Sequence, residues 1–329
     1  MIKPIPFNLP PSCKTKLKAC STLPSPPKIA LQIIEMANNP ELDVEDVVRV
    51  ILIDPALSTQ ILKLANSSFY GHQKKVKDLH KATMVIGFNG VLSLALSFSL
   101  AKSLRRDQED GLSQQWFWRR ALLNGSAGHA LGEGCRIKEL EALFMTSFIQ
   151  DIGMLALDQT DQTLYWGLDL NTLSHKQILD HEIEKFGVSH AMAGGWLLSQ
   201  WNFPTELVAG VRFSDEPDQL PDDLGNFSFY QCVSMAGLVA DLCSTQARDE
   251  DILEVSEQLQ STLNLSPIAF MEIIKNIKKV IKDIGPLFDI PNQGEQDIDS
   301  LLEKAADLLV VQKTKLEEQI PILTGQRQS

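Results

Sequence analysis

The sequence predicts an all-α protein, and three observations carry the prediction. Apolar residues recur at helical spacing in nearly every stretch, and few stretches alternate as strands do. Helix starts are written as a proline or acidic cap ahead of an apolar run, most clearly at Asp54-Pro55. The runs are short and separated by tight polar, proline or glycine breaks.

Residues 1–22 read as an irregular lead, because Pro4, Pro6, Pro10 and Pro11 interrupt it. Leu23-Pro24-Ser25-Pro26-Pro27 should be extended and then start a helix at its last proline. Ile29, Ile33, Ile34 and Met36 follow at helical spacing, and Asn38-Asn39-Pro40 stops that helix. Asp43 can cap the next one, which carries Val44, Val47, Val48 and Ile51. The helix after Asp54-Pro55 carries Leu57, Ile61, Leu62 and Leu64 and ends near Asn66-Ser67-Ser68.

Phe69 to Leu79 is a lysine-rich loop, and a helix begins near His80. Ala82 to Ala101 runs uncharged for about 20 residues, the length of a membrane span. Gly87, Asn89 and Gly90 interrupt it, so a turn followed by a buried helix is expected instead of a span. A polar break at Arg105–Gly111 separates two subdomains. Helices are then expected over Trp116–Gly132, Glu139–Leu157, Ser174–Phe186, His190–Trp201, Leu207–Phe213 and Phe227–Cys243, with an acidic loop at Ser214–Asn226. The tail holds amphipathic segments at Ile252–Leu263, Pro267–Leu287 and Ile298–Glu318, the last near heptad spacing.

Bulk numbers bound the function. The chain has 329 residues, 44% hydrophobic, enough for one large domain or two ordinary ones. Five cysteines, none in a C-x-x-C pair, argue against a zinc ribbon or a disulfide framework and for a reduced, cytoplasmic setting. The start lacks a continuous apolar core, so no signal peptide is expected. The net charge of −12 divides into +7 for residues 1–106 and −19 for the rest. That balance is poor for nucleic acid, which draws on dense phosphate contacts.

The most informative stretch is Phe148-Ile149-Gln150-Asp151-Ile152-Gly153-Met154-Leu155, an apolar helix carrying one acid into the interior. Further motifs are Asp54-Pro55-Ala56-Leu57, Leu62-Lys63-Leu64-Ala65-Asn66-Ser67, Phe69-Tyr70-Gly71 and Ile86-Gly87. Later come Glu182, Phe186-Gly187, His190, Gly195, Leu197-Leu198, Trp201 and Pro204. With these residues, and Leu23-Pro24 and Pro27 before them, the chain resembles the HDOD family over residues 20–245. That family is the non-catalytic relative of the HD metal-dependent phosphohydrolases and is found in bacterial signalling proteins.

The resemblance implies a two-lobed helical HDOD fold over 23–245, with a first lobe at 23–104 and a degenerate HD-like lobe at 112–245. Residues 250–329 would be additional C-terminal helices and a possible connector. It also implies a regulatory role through protein–protein binding to a kinase, a receiver or a cyclic-di-GMP enzyme. The oligomeric state stays open, and neither nucleic acid nor membrane is an expected partner.

Active HD enzymes hold one or two metals with an early His, a His-Asp pair and a later Asp, and the metal activates water. Carried over one by one, these positions fall at Arg120, Gln150, Asp151 and Gly237. Only Asp151 keeps a ligand, and Arg120 puts a fixed positive charge where the ion would sit. The chain is therefore expected not to be an enzyme, with no catalytic residue, metal or cofactor, and an Arg120–Asp151 ion pair is one arrangement open to the vacated site.

Two alternatives are a remodelled phosphohydrolase using Asp151 with some of His175, His181 and His190, and a small-ligand sensor with Arg120 as anion anchor. Surface or packing roles are expected for the three histidines, with a buried hydrogen bond for His190. Glu182, His190, Lys74 and Lys75 are further candidate ligand or partner contacts.

Overall fold

The computed structural model describes residues 5, 7, 9–20, 26–39, 41–67, 69–70, 75–106, 110–244, 247–290 and 297–308. Among them every regular element is helical. The expected irregular lead instead contains a helix, α1 (Pro11–Ala19). Pro10 and Pro11 lie at its N-cap and first position, where the missing N–H costs nothing, so the proline cluster starts this helix. Cys13 and Leu17, one turn apart, are buried, and α1 packs on the second lobe.

The first lobe comprises α2 (Lys28–Ala37), α3 (Val44–Leu52), α4 (Pro55–Ala65), α5 (Leu79–Ile86) and α6 (Phe88–Leu104). Local chemistry sets its boundaries. Asp43 and Asp46 form a capping box at α3, with Asp46 N donating to Asp43 Oδ1 at 3.0 Å. Asp54 Oδ1 accepts from Ala56 N at 2.8 Å at the start of α4. Gly87 turns the chain through 106° between α5 and α6 at a φ of 90°, a region open to glycine. The apolar run is thus a bent pair, and α6 is buried nearly all round because it packs on α2–α5 and also on the second lobe.

The second lobe comprises α7 (Gln114–Gly134), α8 (Leu140–Phe148), α9 (Ile152–Thr160), α10 (His175–Phe186), α11 (His190–Gln200), α12 (Thr205–Arg212) and α13 (Phe227–Ser244). Helix α7 is its axis, packed by α8 and α13. The expected single helix Glu139–Leu157 is broken at Ile149–Asp151, where the backbone opens to ψ values of 5° and 10° at Ile149 and Asp151. Leu140–Thr160 is the one stretch of the described residues long and apolar enough to cross a membrane without a sharp bend, and 83% of that window is buried in the protein.

Beyond residue 248 come α14 (Asp249–Leu263), α15 (Pro267–Ile284), a 3-10 turn at Gly285–Phe288, and α16 (297–308). These elements dock on the core. Helix α14 packs on α13, α15 on α7, and the turn on α4 and α6. Phe288 enters an aromatic cluster, its ring centroid 4.5 Å from that of Phe98 and 4.9 Å from that of Phe148. Ile298, Leu301 and Ala305 on α16 are buried, so this half of the expected heptad face is spent on the protein itself. Residues 309–318 of that segment lie outside the described residues, as do Leu23-Pro24-Ser25.

Burial of His129 in α7 carries a pH prediction. Its ring lies 4.5 Å from the Phe69 ring, and burial pulls its pKa from 6.5 to about 4. Glu133, 4.0 Å away and 47% exposed, does not offset this. The folded-state value is depressed, so His129 contributes stability fully above pH 6.5. That contribution, about 3 kcal/mol, is lost as pH falls toward 4. Urea unfolding of wild type and His129→Leu between pH 7 and pH 4.5 should show a shallower acid slope in the variant. Parallel slopes would refute the assignment.

Candidate functional site

The site begins with a close crossing of α9 and α11. A Cβ on Gly153 would lie 1.9 Å from His190 O and 2.5 Å from Gly194 N. Only a glycine there allows the two backbones to touch, and the contact sets Asp151, just before α9, against His190 at the head of α11. Gly187, at a φ of 73°, ends α10 and returns the chain so that Glu182 also meets His190.

Six polar side chains are thereby buried together. Arg120 is 2% exposed, and its Nε donates to Asp151 Oδ2 at 2.6 Å. Asn124, one turn along α7, donates to the same oxygen at 2.8 Å. Glu182 accepts from His190 N at 2.7 Å, lies 2.8 Å from His190 Nδ1, and accepts from Tyr165 Oη at 2.7 Å. Toward the surface, Arg120 Nη1 donates to Asp241 of α13, and Arg120 Nη2 lies 2.9 Å from His175 Nδ1. His175 Nε2 in turn meets Asp215 Oδ1 at 2.8 Å.

Burial and charge pull against each other here. Burial alone would lower the pKa of Arg120, yet Asp241 and Asp151 outweigh it and hold the guanidinium charged. Burial would raise Asp151, but Arg120 and His190 hold it well below the usual carboxylate range. Burial would lower His190, and Glu182 and Asp215 more than reverse that. His175 is raised against burial by Asp215, and Asp215 is lowered against burial by His190 and His175.

Comparison with known proteins places this geometry. The family model of the HDOD domain matches residues 23–217, more than half of the chain. The chain belongs to the HDOD family. Three solved structures share the fold of this HDOD protein. A Geobacter sulfurreducens HDOD domain protein of unknown function is 14% identical, with a TM-score of 0.63 over 84% of this chain and 98% of the other. A Shewanella amazonensis SB2B protein, provisionally called a phosphohydrolase, is 18% identical, with a TM-score of 0.61 over 82% and 97%. A Marinobacter aquaeolei VT8 protein, provisionally named for signal transduction, is 20% identical, with a TM-score of 0.58 over 86% and 67%. These likenesses show the fold. A Treponema pallidum (strain Nichols) protein, itself uncharacterized, is 24% identical over 204 residues, which are 61% of this chain and 39% of that relative. The HDOD chain thus aligns with well under half of that relative's length.

The structure brings together most of the residues singled out from the sequence. Arg120, Asp151, Glu182 and His190 lie in one buried cluster. Gln150 is buried beside it, its Nε2 2.9 Å from where a Gly237 Cβ would stand. Lys75 is exposed before α5 and takes no part, and Lys74 lies outside the described residues. His181 meets the Leu164 carbonyl at 2.7 Å and stays apart.

Three expectations need correction. Gly237 was matched to the later acid of HD enzymes, but the acid that reaches the cluster from α13 is Asp241, one turn on. Asp151 is also not the sole carboxylate present, because Glu182, Asp215 and Asp241 converge with it. His175 enters the cluster with them, against the surface or packing role expected for it. Asn124 could have been found from its spacing, four residues after Arg120 on one helix face. Asp215 could not, since it sits in an acidic loop beside Glu216 and Asp218 with nothing to mark it out.

The metal of active HD enzymes does not fit the matching positions. Gln150 offers only a neutral amide, a weak metal ligand, and the Arg120 guanidinium fills the space between Asp151 and Asp241.

Proposed function

We propose that this HDOD protein is a non-catalytic, cytoplasmic signalling module that acts by binding protein partners. Kinases, receivers and cyclic-di-GMP enzymes are the partner classes. The observation that carries the reading is Arg120, a buried cation tied to Asp151 and Asp241 where a hydrolase would hold its metal. A partner-binding role also suits the first lobe. Five of the nine exposed large apolar side chains among the described residues lie on it: Leu31, Val44, Leu52, Ile53 and Met84.

The alternative of Arg120 as an anchor for a small anion is disfavoured by its bonding. All three guanidinium nitrogens already face Asp151, Asp241 or His175. Two assays on the full chain test the proposal. Phosphomonoester and phosphodiester substrates with Mn²⁺ or Mg²⁺ should give no turnover above that of Asp151→Asn. Affinity capture from the native extract should recover a signalling protein, and recovery should fall when Leu52 and Ile53 are both changed to Ser. Turnover that depends on Asp151 would overturn the non-catalytic reading, and capture unaffected by the double substitution would overturn the first lobe as the docking face.

A further inference from the structure

Cys135 and Cys232 lie far apart in the sequence, yet their thiols hydrogen-bond to each other. Helices α7 and α13 pack side by side and bring them together. The same two helices meet again where Arg120 reaches Asp241. Arg120 is early in α7 and Asp241 late in α13, so the pair runs antiparallel, with the two cysteines toward its other end.

The two thiols differ in access. Cys135 is the C-cap of α7 and is half-buried, whereas Cys232 is fully buried. They differ in proton affinity as well. The hydrogen bond from Cys232 favours the Cys135 thiolate and lowers its pKa against burial. The same bond, together with burial, raises Cys232. The other three cysteines are placed differently. Cys13 and Cys243 are buried, and burial raises both, Cys243 to about 12. Cys20 donates to the Gln159 carbonyl at 3.2 Å. A thiol that is part-exposed, inclined to ionise and in contact with a second thiol is poised for oxidation to a disulfide.

We propose that Cys135 and Cys232 form a modification site for hydrogen peroxide, with Cys135 attacking and Cys232 resolving. The Cys135 sulfur attacks one peroxide oxygen, and the O–O bond breaks. The departing hydroxide takes up the proton that Cys135 released and leaves as water, and Cys135 becomes a sulfenic acid. The Cys232 sulfur then attacks the Cys135 sulfur, the S–O bond breaks, and a second water carries off the Cys232 proton. The two thiols together give up two electrons, and one peroxide is reduced to two waters. The sulfurs must close from hydrogen-bond contact to about 2.05 Å. That movement falls at a helix end, because Cys135 caps α7 and Arg136 after it turns away at a φ of 59°. The bridge fastens α7 to α13 away from the Arg120–Asp241 contact. A reduced compartment suits such a pair, since disulfides there are transient and redox-sensing.

The test treats the full, reduced chain with a small excess of hydrogen peroxide. Its mass should fall by about 2 Da, and digestion without reductant should yield the Cys135 and Cys232 peptides joined. Dithiothreitol should restore both thiols. Cys232→Ala should stop at the Cys135 sulfenic acid, which dimedone traps, and Cys135→Ser should react at least about 10-fold more slowly than wild type. Circular dichroism must show both variants folded, and the peptide map of wild type needs no variant. An unchanged mass, a bridge using Cys13, Cys20 or Cys243, a bridge between chains, or wild-type oxidation of Cys135→Ser would each overturn the site.

Discussion

Replacing Arg120 with Ala should cost about 3–5 kcal/mol, because it strands a buried carboxylate. Asp151 is 2% exposed and depends on Arg120 Nε at 2.6 Å for its neutralisation. The truncation also opens a hole in α7 and strips Asp241 and His175 of their shared partner. Denaturant unfolding should show a large drop in midpoint. Asp241→Asn should cost far less, because Asp241 is 24% exposed and water can solvate what it leaves behind. The double change Arg120→Met with Asp151→Asn should cost less than the two single changes added together, since it removes both charges at once. Strict additivity of the two would show that the ion pair does not couple them.

Phe288→Ala should cost a similar about 3–5 kcal/mol, from lost transfer energy and the cavity left behind. Phe288 is 3% exposed and sits among Phe98 of the first lobe and Phe144 and Phe148 of the second. Its neighbourhood is fastened from both sides. Gln60 donates to the Leu287 carbonyl at 2.7 Å, and Arg105 donates to the Phe288 carbonyl. The variant should therefore unfold at lower denaturant in a single transition that includes both lobes. A loss below about 1 kcal/mol would mean that the segment after α15 merely rests on the surface.

Much of the fold was legible from local chemistry. Asp43, Asp54, Ser174 and Ser189 mark helix starts because their side chains accept from backbone N–H groups a few residues on. Gly87 and Gly187 mark ends because they hold positive φ. The irregular lead expected over residues 1–22 holds helix α1 for the opposite reason. Proline forbids a helix interior but favours a first turn, and only the burial of Cys13 and Leu17 against α9 decides which applies.

The site divides in the same way. That Asp151 is carried into an apolar interior, and that Gln150 cannot replace a histidine ligand, follows from the sequence alone. Which acids and histidines meet there does not. Asp215, Asp241 and His175 lie 64, 90 and 24 residues from Asp151, and nothing local selects them from the other acids of the chain. The selection is made where α9 and α11 touch at Gly153 and α13 lies along α7, because burial energy and charge pairing depend on neighbours brought from afar. Sequence fixes what each residue can do at its own backbone; packing decides whom it faces.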